Sequence, residues 1–116
     1  MLRRLVLCLP ALLAPLSAHA HAILEDSSPK PGGTVPTGPI ELRLRYNSRI
    51  DHERSRLTLT RPDRSKETLP IAPGTPPDIV AARVTLMPGG YVLRWQVLAV
   101  DGHITRGDLP FMVKAP

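Results

Sequence analysis

The sequence predicts an all-β domain, an antiparallel β-sandwich or barrel of about seven short strands. Three observations carry that expectation. Apolar residues recur at every second position in several runs, turn-forming residues separate the runs at short intervals, and no segment holds a helical period.

The runs follow in chain order. Ile40, Leu42, Leu44 and Tyr46 share one face, and Glu41, Arg43 and Arg45 take the other. Leu57 and Leu59 alternate with Arg56, Thr58 and Thr60, and Val84 and Leu86 flank Thr85. Tyr91, Leu93, Trp95, Val97 and Ala99 make the longest single face, and Phe111 and Val113 close the chain. In a strand such alternation puts one face in the core and the other in water. Trp95 is therefore a core residue. Arg43, Arg45, Arg54 and Arg56 solvate outer surfaces and discourage pairing between edges. The breaks are Pro29-Lys30-Pro31-Gly32-Gly33, Pro36-Thr37-Gly38-Pro39, Arg61-Pro62-Asp63, Ala72-Pro73-Gly74-Thr75-Pro76-Pro77 and Pro88-Gly89-Gly90. The proline-rich stretch 70–78 reads as a loop, because too little chain follows it to build a second domain.

With 116 residues the chain has room for one small domain. Its opening reads as an export signal. Arg3 and Arg4 form a positive start, residues 5–16 form an apolar stretch broken by Pro10 and Pro15, and Ala18-His19-Ala20 fits a small-x-small cleavage site. The apolar stretch is too short to cross a bilayer. Cys8 lies inside that stretch behind Leu7, the wrong place for a lipid-anchoring cysteine. The expectation is a cleaved secretory signal peptide over 1–20 and one domain over 21–116, with no membrane span after cleavage. That domain enters an oxidising compartment without a cysteine and stands on its core alone. Setting aside Arg3 and Arg4 from the 15 basic side chains leaves thirteen against ten acidic ones, a net charge near +3. That mild excess is spread along strand-like segments with few aromatics, which argues against nucleic-acid binding.

After cleavage at Ala20, His21 is the first residue. A free N-terminal histidine closes a six-membered chelate through its α-amine and its imidazole Nδ1. Both groups shed their protons at little cost near neutral pH. Two such nitrogens favour copper(II), which prefers tetragonal N and O donors and heads the divalent affinity order. Asp101-Gly102-His103 supplies a carboxylate and an imidazole two residues apart, hence on one side of an extended segment. Together these make three nitrogens and one oxygen. A D-x-H pattern alone equally describes a turn aspartate beside a surface histidine. Cleavage after Ala18 would instead leave His19-Ala20-His21, which captures copper(II) through deprotonated backbone amides and has no need of Asp101 or His103.

The ordered pieces resemble the periplasmic copper-resistance CopC family. They are His21-Ala22-Ile23-Leu24 with Ser27-Ser28-Pro29 and Gly32, the strand Ile40–Tyr46, Pro88-Gly89-Gly90-Tyr91-Val92-Leu93-Arg94-Trp95, and Val100-Asp101-Gly102-His103-Ile104-Thr105-Arg106-Gly107-Asp108 leading to Phe111-Met112-Val113. They span almost all of residues 21–114. The resemblance implies a Greek-key β-sandwich of immunoglobulin-like or cupredoxin-like form. It also implies a periplasmic copper(II) carrier or buffer, with His21, Asp101 and His103 as the metal ligands. It further implies a monomer and a partnership with an inner-membrane copper transporter of the CopD type.

Departures from the family shape the remaining expectations. Some members bind copper(I) through a methionine-rich loop; here the mature chain has only Met87 and Met112, so no copper(I) site is expected. Met112 alternates out of register with Phe111 and Val113, and the sequence leaves open which layer it faces. Some members carry a glutamate after the first long strand, where this chain has Asn47-Ser48-Arg49, which puts an extra acidic ligand in doubt. Asp51-His52-Glu53 is either a secondary metal site or a solvated polar turn, and loop composition favours the turn. His52 is the residue to watch should copper-dependent dimers form. Arg106 and Asp108 either orient the ligands by hydrogen bonds or are ordinary edge charges. The alternative function is a copper-dependent oxidative enzyme of the N-terminal-histidine type. It ranks second because a carboxylate ligand would fill the copper plane and the aromatics lie in strand positions; no enzymatic activity is expected.

Overall fold

The computed structural model describes residues 22–116. The expected signal peptide over 1–20 and His21 lie outside these residues.

Eight strands form: β1 (Leu24–Ser28), β2 (Gly33–Pro36), β3 (Gly38–Tyr46), β4 (Arg56–Thr60), β5 (Lys66–Leu69), β6 (Ile79–Leu86), β7 (Gly89–Leu98) and β8 (Ile104–Lys114). They make a β-sandwich with a three-stranded sheet ordered β1-β3-β6 and a five-stranded sheet ordered β2-β8-β7-β4-β5. Every neighbouring pair is antiparallel except β2 and β8, which run parallel. The predicted all-β sandwich is the observed one, with eight strands against about seven expected. Among the described residues no helix is long and apolar enough to cross a membrane.

The alternating faces are buried as their period requires. Leu42, Leu44 and Tyr46 of β3, Leu57 and Leu59 of β4, and Leu93, Trp95 and Val97 of β7 all point between the sheets. Leu109, Phe111 and Val113 of β8 meet them there. Two short strands carry no such period. β2 (GTVP) is recruited by the edge of β8, where Val35 faces Val113. β5 (KETL) pairs with β4 and exposes three of its four residues, so it has little apolar pattern to show. Thr37 alone separates β2 from β3, and the chain changes sheets there. Gly38 has φ 119°, which a side chain would strain, and Thr37 Oγ1 fastens the corner by donating to the Lys114 carbonyl at 2.6 Å.

Stretch 70–78 is a loop, as its prolines predict, and it seals the outer edge of β6. Ala72 N–H donates to the Ala81 carbonyl at 2.8 Å, and Ile79 N–H donates to the Pro76 carbonyl at 3.0 Å. That cover explains why Ile79, Val80, Ala81 and Ala82 are buried in succession on what is otherwise an edge strand. On the outer surfaces Arg45 pairs with Glu25 at 2.7 Å and Arg94 with Asp108 at 3.0 Å. Both pairs are well exposed and contribute little to stability.

Trp95 is the largest core anchor. Its ring meets Tyr46 edge-on at 5.4 Å between centroids. It also lies directly over Gly107, its cross-strand partner, where an added Cβ would fall 2.3 Å from Cζ2. Gly107→Ala is therefore expected to lower stability by about 1–3 kcal/mol through overpacking. Urea unfolding followed by tryptophan fluorescence measures it, and an unchanged midpoint would contradict this packing.

Candidate metal centre

The turn between β7 and β8 carries the predicted ligands. Ala99 N–H donates to the His103 carbonyl at 2.9 Å, and Gly102 N–H donates back to the Ala99 carbonyl at 2.8 Å. The tight reversal puts Gly102 at φ 95°, which glycine adopts without steric cost. Val100 N–H donates to the Arg49 carbonyl at 3.1 Å, which ties the turn to the segment after β3.

Within this turn Asp101 and His103 come together. Asp101 Oδ1 accepts from the His103 backbone N–H at 3.1 Å and faces its ring Nδ1 at 3.3 Å. The Asp101 side chain is 39% exposed and that of His103 50%, so neither is committed to the core. Adjacent donors around a tetragonal ion with bonds of ~2.0–2.1 Å stand about 3 Å apart. The Oδ1 to Nδ1 spacing is close to that, so the two atoms stand as neighbouring donors to one cation would. His21, the third predicted ligand, lies outside the described residues. Among the described residues no group of three or more His, Cys, Asp or Glu could hold a metal ion.

The chain next to position 21 is well anchored. Ala22 is buried, and its carbonyl accepts from Thr105 Oγ1 at 3.1 Å. Ile23 N–H donates to Asn47 Oδ1 at 2.7 Å, and Asn47 N–H donates to the Ile23 carbonyl at 3.0 Å. Thr105 follows His103 by two residues, so the start of the described chain lies beside the turn. Asn47 and Thr105 escape sequence reasoning because their partners are 24 and 83 residues away and neither contact has a local signature. Tyr46, just before Asn47, buries its hydroxyl, which has no hydrogen-bond partner among the described residues. Burial pushes this phenol well above its ordinary pKa, so it stays neutral.

The other candidates fall elsewhere. Asp51-His52-Glu53 forms a single 3-10 turn, with Asp51 Oδ1 accepting from Arg54 N–H at 3.2 Å as its cap. His52 is half-buried; its Nε2 donates to the Ile79 carbonyl at 2.5 Å and lies 3.3 Å from Thr75 Oγ1, which locks this turn to the 70–78 loop. Arg106 and Asp108 lie on β8 just past the turn. They face outward on β8, where Arg106 Nε donates to Gln96 Oε1 at 2.8 Å and Asp108 pairs with Arg94. Met112 is half-exposed over Gly90 on that outer face, and Met87 is exposed just before β7. By strand rise both stand roughly 30 Å from the Asp101–His103 turn, at the opposite end of the β7–β8 ladder.

Comparison with known proteins agrees in sequence and in fold. The CopC domain matches residues 24–114. The chain is 31% identical to the protein YobA of Escherichia coli K12, over 97% of this chain and 94% of that one. It is also 31% identical to copper resistance protein C of Xanthomonas campestris pathovar juglandis, over 94% of this chain and 92% of that one. The crystal structure of CopC from Methylosinus trichosporium OB3b superposes with a TM-score of 0.74 at 25% identity, covering 82% of this chain and 95% of that one.

The half-buried ring of His52 has a structural task. His52→Ala is expected to cost about 0.5–1.5 kcal/mol, the worth of one hydrogen bond, because the Ile79 carbonyl keeps Thr75 Oγ1 as a donor at 2.9 Å. Hydrogen exchange at Ala72 N–H should speed up while copper(II) binding stays unchanged. Lost copper binding in the folded variant would instead make His52 a ligand.

Proposed function

The chain belongs to the CopC domain family, and on that premise we propose that it serves copper resistance as a periplasmic carrier or buffer of copper(II), with His21, Asp101 and His103 holding the ion. The observation that carries this reading is the meeting of Asp101 Oδ1 and His103 Nδ1 at 3.3 Å on an exposed turn. The chain entering from position 21 is tied down two residues further along β8.

The chemistry of the set fits copper(II). The amine and Nδ1 of an N-terminal histidine, a second imidazole and a carboxylate give three nitrogens and one oxygen, a tetragonal shell. The Asp101 carboxylate has two tasks there. It offsets charge on the ion, and through its bond to the His103 backbone N–H it holds the turn that presents the imidazole. Copper is cargo here, and exposed ligands at a turn suit both loading and release. The recipient in this reading is an inner-membrane copper transporter of the CopD type, reached by a monomeric carrier that the cleaved signal peptide sends to the periplasm.

One observation weighs against an oxidative enzyme. Tyr46, Tyr91, Trp95 and Phe111, the only aromatic residues of the chain, are all buried. They leave no flat aromatic surface on which a polymer could lie beside the metal.

Chelator competition on protein with the native N-terminus tests the ligands. Asp101→Ala and His103→Ala should each weaken copper(II) binding by more than the roughly 10–100-fold that loss of an outer-shell partner costs. Full affinity in both variants would sink the assignment. Residues added before His21 convert its amine into an amide, so they should abolish tight binding while leaving the unfolding curve unchanged. Intact mass of the exported protein checks that the cut falls after Ala20, since a cut after Ala18 creates a different copper site.

A further inference from the structure

The peptide unit joining Ala22 to Ile23 is held from both sheets at once. Its carbonyl, on Ala22, accepts from Thr105 Oγ1 at 3.1 Å. Its N–H, on Ile23, donates to Asn47 Oδ1 at 2.7 Å. Thr105 belongs to β8 in the five-stranded sheet, and Asn47 directly follows β3 in the three-stranded sheet. Ala22 is buried at 2% exposure, so its side chain adds a third restraint. We propose that Asn47 and Thr105 are positioning residues for the metal centre. They clamp this one peptide plane so that the residue before it is delivered to Asp101 and His103. The inference rests on the copper(II) reading above.

Geometry gives the clamp its consequence. A residue advances the chain by at most ~3.3–3.6 Å, so position 21 cannot stray far from a fixed position 22. Thr105 lies on the face of β8 that looks between the sheets, as do Gly107 and Leu109 beyond it. Position 103 continues the same alternation, and the bond from Ala99 N–H to the His103 carbonyl continues the ladder that far. Thr105 of the clamp and His103 therefore stand on the same side of this end of the chain, with Asp101 in the turn just before them.

A chelate from an N-terminal residue is only as preorganised as the peptide that follows it. With the 22–23 plane fixed, few torsions separate the scaffold from the α-amine. Ordering them costs binding free energy when the chain supplies no such restraint. Asn47 suits this task better than an acid would. Its amide oxygen accepts from the Ile23 N–H while adding no charge beside the ion, and its own N–H closes the remaining Ile23 carbonyl. One side chain and its backbone thus satisfy both polar backbone groups of Ile23.

The test uses the full mature chain with its native N-terminus and copper(II) as the probe. Thr105→Val removes the hydroxyl at nearly constant shape, Thr105→Ser keeps it, and Asn47→Leu removes the acceptor. Thr105→Val and Asn47→Leu should each weaken copper(II) binding by about 10–100-fold. They should also turn a single copper electron-paramagnetic-resonance species into a mixture, and Thr105→Ser should retain the wild-type affinity and spectrum. Copper-free wild-type protein should show slow hydrogen exchange at Ile23 N–H. Fast exchange there overturns the clamp whether or not the variants fold. Unchanged affinity and spectra in the folded variants also overturn it, even if their unfolding midpoints fall, because the contacts would then be structural only. If wild-type protein itself fails to bind copper(II), the functional reading fails first and this inference falls with it.

Discussion

The β7–β8 ladder is the constraint on which the rest of the molecule depends. β7 pairs with β8 along its whole ten-residue length, from Gly89 opposite Val113 to Leu98 opposite Ile104. Side chains alternate with period two, so a slip of one residue would turn Tyr91, Leu93, Trp95 and Val97 out to water. It would also lift the Trp95 indole off Gly107, the one inward position on β8 without a side chain in its way. The same register decides where the ladder ends. The reversal falls on 99–103, and Gly102 lets the chain turn tightly enough for Asp101 and His103 to face each other. Core packing and ligand spacing are thus two readings of one alignment.

The sheets are joined at this end of the sandwich by backbone hydrogen bonds as well as by side-chain packing. The segment after β3 holds the end of the ladder through Asp51 N–H to the Leu98 carbonyl at 2.8 Å and Val100 N–H to the Arg49 carbonyl at 3.1 Å. Ile50 adds an isolated bridge to Ala99. With Cys8 as the chain's only cysteine, no disulfide staples residues 22–116. Rigidity at the turn therefore comes from polar contacts between segments remote in sequence, which are short and mutually supporting here.

How much of this was legible in the sequence follows from how each feature is encoded. Strands β3, β4 and β7 announce themselves because each has one face in the core and one in water. The D-x-H pair was legible because two-residue spacing is a local property. β2 and β5 were not legible: one contains Gly33 and Pro36 and exists through its parallel partner, and the other is mostly exposed. Arg106 and Asp108 look adjacent to the site along the chain, yet the pleat turns them to the outer face, where Gln96 and Arg94 take them. Asn47 and Thr105 were invisible as a pair, because nothing local tells either residue that it will meet the peptide between Ala22 and Ile23.

The proposed ligands on the turn lie outside the packed core. Asp101 and His103 are half-exposed on a turn, and the packed residues lie between the sheets beyond them. In a small metal-dependent domain the ion's binding energy is folding energy, and removing the metal unfolds the chain. Here the sandwich closes through Leu42, Leu44, Leu93, Trp95 and Phe111, none of which is a metal-binding side chain. In the proposed site, binding strength would then depend on how well the donors are held before the ion arrives, not on any fold completed by its arrival. For the carrier role proposed above, that separation would let the protein give up its cargo without giving up its structure.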